Sequence, residues 1–245
     1  MQNAWIIARR ELGAIFVQPI AYVFMAAMSL ITGAIFAQQI TFLAQGAQSG
    51  AAPNVADSLS TFAFLCVFAI PAITMRLVSE ERQSGTVELL MTMPVTDGQV
   101  ILGKFLAALI LYIATTALTL IYPLVLLRFG NPDVGPMLTT YLMVVLWGSA
   151  LISIGIFAST VSTNQINAFM LSFAVILILY LLAFLSNNPS LPERVGIIMR
   201  ELSLLSHQEN FFSGVLTVKD TLYFVLVTAV FLFAAARFFE SRRWR

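Results

Sequence analysis

The side chains able to do chemistry gather in one stretch, Met75 to Lys104, MRLVSEERQSGTVELLMTMPVTDGQVILGK. It holds Arg76, Glu80, Glu81, Arg82, Glu88, Asp97 and Lys104, seven of the 25 charged side chains in the chain. Gly85 and Thr86 interrupt a charged helical start, Val87, Leu89, Leu90, Met91 and Met93 follow as an apolar patch, and Pro94 ends it. Charges interleaved with an apolar patch outside the bilayer make a docking surface, because such a patch left uncovered marks an interaction site. Bond-making chemistry has no comparable signal. The single histidine, His207, has Glu209 two residues on, which is too few ligands for a metal site. No catalytic residue and no metal ligand is assigned. Gly98 to Lys104 matches the first seven positions of a phosphate-binding loop, but Phe105 stands where a magnesium-binding hydroxyl is required. No strand pattern precedes it and an apolar run follows, so Lys104 is expected to extend its ammonium to lipid headgroups instead.

The rest of the chain must hold that stretch at a membrane face. Of 245 residues, 59% are hydrophobic and 10% charged, with mean hydropathy +0.90. Soluble domains carry roughly 25% charged residues. Apolar runs of 18 or more residues recur without alternation, which predicts a polytopic all-α membrane protein and excludes a β-barrel. Cys66 is the one cysteine, so there is no intramolecular disulfide and no CxxC metal site. The first apolar run is too long for a signal-peptide core and reads as a retained span.

Residues 1–17 predict an amphipathic interface helix, with Trp5, Ala8, Leu12 and Ile15 on one face, Arg9 and Arg10 away from it, and Trp5 as anchor. Six spans follow, over about 19–43, 59–74, 101–127, 137–160, 168–185 and 221–238. Ser29, Gly33 and Ala37 allow close helix approach in the first, and Pro123 is expected to kink or end the third. The chain reads as a single domain, 1–245, with the interface helix (1–17), a cytosolic coupling segment (75–98) and an extracytoplasmic segment (186–219). In the last, apolar residues including Phe211, Phe212, Val215 and Leu216 suggest short re-entrant helices before the final span. With the N-terminus in the cytosol, nine basic residues lie inside and four outside, as the positive-inside rule requires, and both termini are cytosolic. No charge lies well inside a span, which argues against a proton- or sodium-driven carrier and places the energy source on another chain.

Three stretches resemble a known family. Glu80-Glu81, Gly85-Thr86-Val87-Glu88-Leu89-Leu90, Pro94-Val95-Thr96 and Gly103-Lys104-Phe105 are similar to the cytosolic segment of ABC-2 type transporter permeases, closest to the gliding-motility-associated branch. Arg10-Glu11-Leu12 with Pro19-Ile20-Ala21-Tyr22-Val23, and Ser206-His207, Glu209-Asn210-Phe211, Gly214-Val215, Asp220 and Tyr223-Phe224, resemble its N-terminal helix and its outer segment. Ser213 departs from the pattern, which has a basic residue before the glycine. The resemblance implies a type V exporter-like permease half in a bacterial-type cytoplasmic (inner) membrane. It would pair with a second permease, as homo- or heterodimer, and with cytosolic ABC ATPase subunits that carry the ATP and magnesium; this chain would bind no cofactor. Glu80, Glu81, Arg82, Gly85, Thr86, Glu88, Leu89, Leu90, Met91 and Pro94 would seat on the ATPase. Trp5, Arg9, Arg10 and Glu11 would lie along the membrane face. His207, Asn210, Phe211 and Gly214 would shape the outer exit. An auxiliary membrane protein with a large extracytoplasmic domain is a further expected partner; nucleic acid is not. The rival reading keeps the ATPase but has the chain transmit force or conformational change to an extracytoplasmic partner without moving a solute.

Overall fold

The computed structural model of the chain describes residues 2–44, 54–83, 96–129, 132–188 and 191–241. Among them there is no strand. The helices are α1 (Gln2–Val17), α2 (Pro19–Ala44), α3 (Ala56–Thr74), α4 (Arg76–Gln83), α5 (Asp97–Leu118), α6 (Ile121–Phe129), α7 (Val134–Val161), α8 (Gln165–Ser186), α9 (Glu193–Leu202), α10 (Glu209–Phe212) and α11 (Val218–Ser241), with a 3₁₀ turn at Leu205–His207. Six helical stretches are long and apolar enough to cross a bilayer: Pro19–Phe42, Ala56–Gln83, Asp97–Arg128, Val134–Val161, Gln165–Ser186 and Val218–Ser241. They run alternately up and down. One end of the bundle, here the near end, carries α1 and α4. The far end carries α9 and α10.

Two boundaries differ from expectation for identifiable reasons. The charged start of the 75–98 stretch continues the second span: Met75 stays in the right-handed helical region and donates its N–H to the Pro71 carbonyl, so α3 runs on into α4. The third span does break near its proline, but upstream of it, between Leu118 and Ile121. Pro123 offers no N–H to the Thr119 carbonyl and its ring crowds that group, so the ladder opens there. Thr119 fills the gap by donating its hydroxyl to the Thr116 carbonyl, and Tyr141 Oη donates to the Thr119 carbonyl at 2.8 Å.

The bundle is built around α7, the most enclosed of the six spans. Trp147 is fully buried and donates Nε1–H to the Ala63 carbonyl of α3 at 3.0 Å. Tyr112 of α5 donates to the Val144 carbonyl at 2.8 Å and lies over Gly148. A Cβ at position 148 would stand 2.1 Å from Tyr112 Cε1, so the α5–α7 contact requires glycine. The small face of α2 expected at Ser29 and Gly33 receives Tyr122 of α6, which donates to the Ser29 carbonyl at 3.3 Å and stacks on Phe36. Overpacking a helix contact of this kind costs about 1–3 kcal/mol. Gly148→Ala is therefore expected to lower the unfolding midpoint of the detergent-purified chain, and Tyr112→Phe to lower it less. An unshifted midpoint in Gly148→Ala would contradict this packing.

Candidate functional site

The near end gathers charge from three helices. α1 packs on α5 through Ala4, Ile7 and Ala8, all buried, in the i, i+3, i+4 pattern of one helix face. The fit depends on Gly103, where a Cβ would meet Ile7 Cγ2 at 2.7 Å and the Ala4 carbonyl oxygen at 2.9 Å. The next position on that face is Glu11, and the residue after Gly103 is Lys104. Their proximity follows from the crossing point.

Lys104 does not reach for lipid headgroups. Its side chain is 1% exposed, and its ammonium lies 2.8 Å from Glu81 Oε1 of α4 and 3.5 Å from Glu11 Oε1 of α1. Arg10 Nη2 closes the group at 2.9 Å from Glu11 and 3.9 Å from Glu81. Two cations and two carboxylates balance, which a low-dielectric site demands. Gln99 Oε1 adds a polar tie, accepting from Asn3 Nδ2 at 3.4 Å and from the Thr96 N–H at 3.3 Å.

A second lock joins α4 to α7. Ser159 Oγ accepts from the N–H groups of Val78 and Ser79 at 3.1 and 3.0 Å and donates to the Met75 carbonyl at 3.0 Å. Arg82 Nη1 donates to the Thr160 and Ser162 carbonyls at 2.7 and 2.8 Å, capping the end of α7 where helix carbonyls otherwise lack donors. Glu81 and Arg82, expected to face a partner, thus make contacts within the chain. Glu80 is exposed one position before them. Gly85, Thr86, Glu88, Leu89, Leu90, Met91 and Pro94 lie outside the described residues. On α1, Trp5 and Arg9 are exposed and off the packing face: Trp5 stands beside the exposed Ile6, where a membrane interface can take both, and the buried stripe is the one containing Ala4 and Ile7.

The far end has its own polar knot. His207 Nδ1 lies 2.6 Å from Asp220 Oδ1 and its Nε2 lies 3.1 Å from the Glu201 carbonyl, while Tyr223 stacks on the ring at 3.9 Å. Asn210 Nδ2 donates to Asp220 Oδ2 at 2.7 Å, and Thr217 donates to the same oxygen. Phe211 is fully buried, its carbonyl accepting from Thr139 Oγ1 at 2.7 Å, and Gly214 takes φ +82° at the turn toward α11. His207, Asn210, Phe211 and Gly214 are therefore brought together in one short stretch. Asp220, to which His207 and Asn210 both bond, is what joins them to the last span. Glu209, close in sequence, is not the histidine's partner.

Sequence reasoning missed Lys104, Gly103 and Ser159 as site residues. A lone lysine one turn inside an apolar run was the available signal. Removing one partner of a buried ion pair costs about 3–5 kcal/mol, so Lys104→Ala should strongly destabilise the chain. A Lys104→Ala/Glu81→Ala double-mutant cycle in denaturant unfolding should give a coupling energy of about 0.5–3 kcal/mol. Simple additivity would mean that the two side chains do not depend on each other.

The chain is also similar to known proteins. A stretch of 111 residues is 28% identical to the probable multidrug ABC transporter permease YbhR of Escherichia coli K12, and equally to that of Escherichia coli O157:H7. The match covers 45% of this chain and 30% of the relative's own length. The model of the ABC-2 family transporter proteins matches residues 5–244, nearly the whole chain. With six apolar helices of spanning length around a buried α7, this multi-pass membrane protein belongs to the ABC-2 transporter family.

Proposed function

We propose that the chain is the permease subunit of an ATP-driven exporter in a bacterial-type cytoplasmic membrane, powered by separate cytosolic ABC ATPase subunits and paired with a second permease. The observation that carries this reading is the pair of locks on α4. The segment 84–95 joins the end of α4 to the start of α5 in the sequence. Both helices are tied to α1 by the Lys104 cluster, and α4 is tied to α7 by Ser159 and Arg82. A push on that segment then reaches α3, α5 and α7 as one displacement, which is what a coupling element needs. The name of the Escherichia coli relatives, probable multidrug ABC transporter permeases, supports export as the direction.

In this mechanism the ATPase pair closes on ATP and shifts the 84–95 segment. The near ends of the spans rock with it, and the far end changes its opening beside the His207–Asp220 knot. Glu88, Leu89, Leu90 and Met91 supply the contact with the ATPase, while Glu81 and Arg82 transmit it inward. The gliding-motility branch, with an auxiliary extracytoplasmic partner and force in place of a solute, is the second reading. It rests on the resemblance of Glu80-Glu81, Gly85 to Leu90 and Pro94-Val95-Thr96 to that branch.

A Glu88→Ala/Leu90→Arg variant, confirmed as folded by an unshifted unfolding midpoint and reconstituted in liposomes with its cognate ATPase, should lose membrane-stimulated ATP hydrolysis by about tenfold. Undiminished stimulation would overturn the coupling role of this segment.

A further inference from the structure

The near end holds a cavity of about 330 Å³ between the α1–α2 junction, the α3–α4 continuation and α5. Its chemistry changes along its depth. Glu11, Glu81 and Lys104 of the buried cluster line it at one level, with Arg76 and Glu80. One turn further into the bundle the walls are Ala72 and Ile73 on α3, and on α5 the lining runs from Lys104 to Leu111, about 10 Å deeper at 1.5 Å per residue. Ile20, exposed on the flank of the bundle, forms part of the wall. A cavity charged at the bilayer edge and apolar below it has the profile of an amphiphile.

Arg76 is the cation left over. Lys104, Arg10, Glu11 and Glu81 neutralise one another. Among the described residues Arg76 makes no ion pair. It gives a single long hydrogen bond, Nη1 to Gln18 Oε1 at 3.4 Å, and its Nε is buried with no acceptor. A guanidinium held this way is matched to a phosphate, whose oxygens take its fork of donors and whose charge offsets its own.

We propose that this cavity binds one glycerophospholipid from the adjacent leaflet, its phosphate diester on Arg76 and Gln18 and the upper part of one acyl chain against Ile73 and Leu111. The volume admits about ten groups of water size, at roughly 30 Å³ each. That suffices for a headgroup phosphate and the first methylenes, with the rest of the lipid in the bilayer beside Ile20. Free phosphate would leave the apolar half of the cavity unused. A bound lipid would sit between the interface helix α1 and the α4 lever, so bilayer composition would bear on how the two move.

The test uses the full chain, purified, delipidated in detergent and titrated with dioleoylphosphatidylglycerol, with adducts counted by native mass spectrometry. One adduct should saturate ahead of the others. Arg76→Gln should weaken it at least tenfold, and Ala72→Phe, which fills the apolar end without touching the charge, should weaken it comparably at an unchanged melting temperature. Dioleoylglycerol, lacking phosphate, should bind at least tenfold more weakly, and millimolar inorganic phosphate should not displace the lipid. Equal binding by wild type and both variants, equal binding of the diacylglycerol, or displacement by inorganic phosphate would each overturn the proposal.

Discussion

Lys104 carries a charge that burial forbids unless carboxylates meet it, and the two that do so come from different helices. Glu81 arrives on α4, after the second span. Glu11 arrives on α1, before the first. Desolvating an ammonium costs several kcal/mol unless its partners are in place. The position of α1 against α5, and of α4 against both, is therefore one requirement, not three. Gly103 makes the requirement possible by letting α1 approach α5 closely enough for Glu11 to reach. Arg10 then balances the second carboxylate.

From this group the constraint spreads through backbone polar groups. α4 is short and polar, and apolar packing alone would hold it weakly. Ser159 takes its first N–H groups and Arg82 returns the favour to the last carbonyls of α7. α7 is the helix on which α3, α5 and α11 converge, so whatever moves α4 is felt by the helix at the centre of the bundle. The far end repeats the principle with Asp220, a carboxylate in the first turn of α11, which gathers His207, Asn210 and Thr217 from the preceding segment. Polar knots at both ends and apolar packing between them give a body able to tilt without coming apart.

The spans were legible because a bilayer imposes one strong rule: about 20 apolar residues in a row, which six segments obey. The helix at 2–17 and the short helices at 193–212 are legible, as helices, from their mixed patterns. What the pattern cannot carry is which face meets which neighbour. Trp5, Ala8, Leu12 and Ile15 and the stripe Ala4, Ile7, Ala8 and Glu11 are both periodic; only the close approach at Gly103 selects the second. The local pattern sends Lys104 to headgroups because its acidic partners are remote in sequence, and local spacing says nothing about remote charges. The partner of His207 is hidden in the same way: Asp220 stands 13 residues on in the chain, and only the fold brings it to the ring. The membership of Gly85 to Pro94 in a coupling surface rests on the motif, as those residues lie outside the described structure.

The central claim is that α1 and α4 move as one body, held by the Lys104 cluster. It is tested most directly by spin-label distances in the assembled, membrane-reconstituted transporter, with labels at the exposed positions Ile6 on α1 and Gln83 on α4, and a third at exposed Ile197 on α9. On adding ATP the Ile6–Gln83 distance should stay constant while Ile6–Ile197 shifts. A change in Ile6–Gln83 of the same size as that in Ile6–Ile197 would contradict the account, because α4 would then move independently of the helix to which its buried charge ties it.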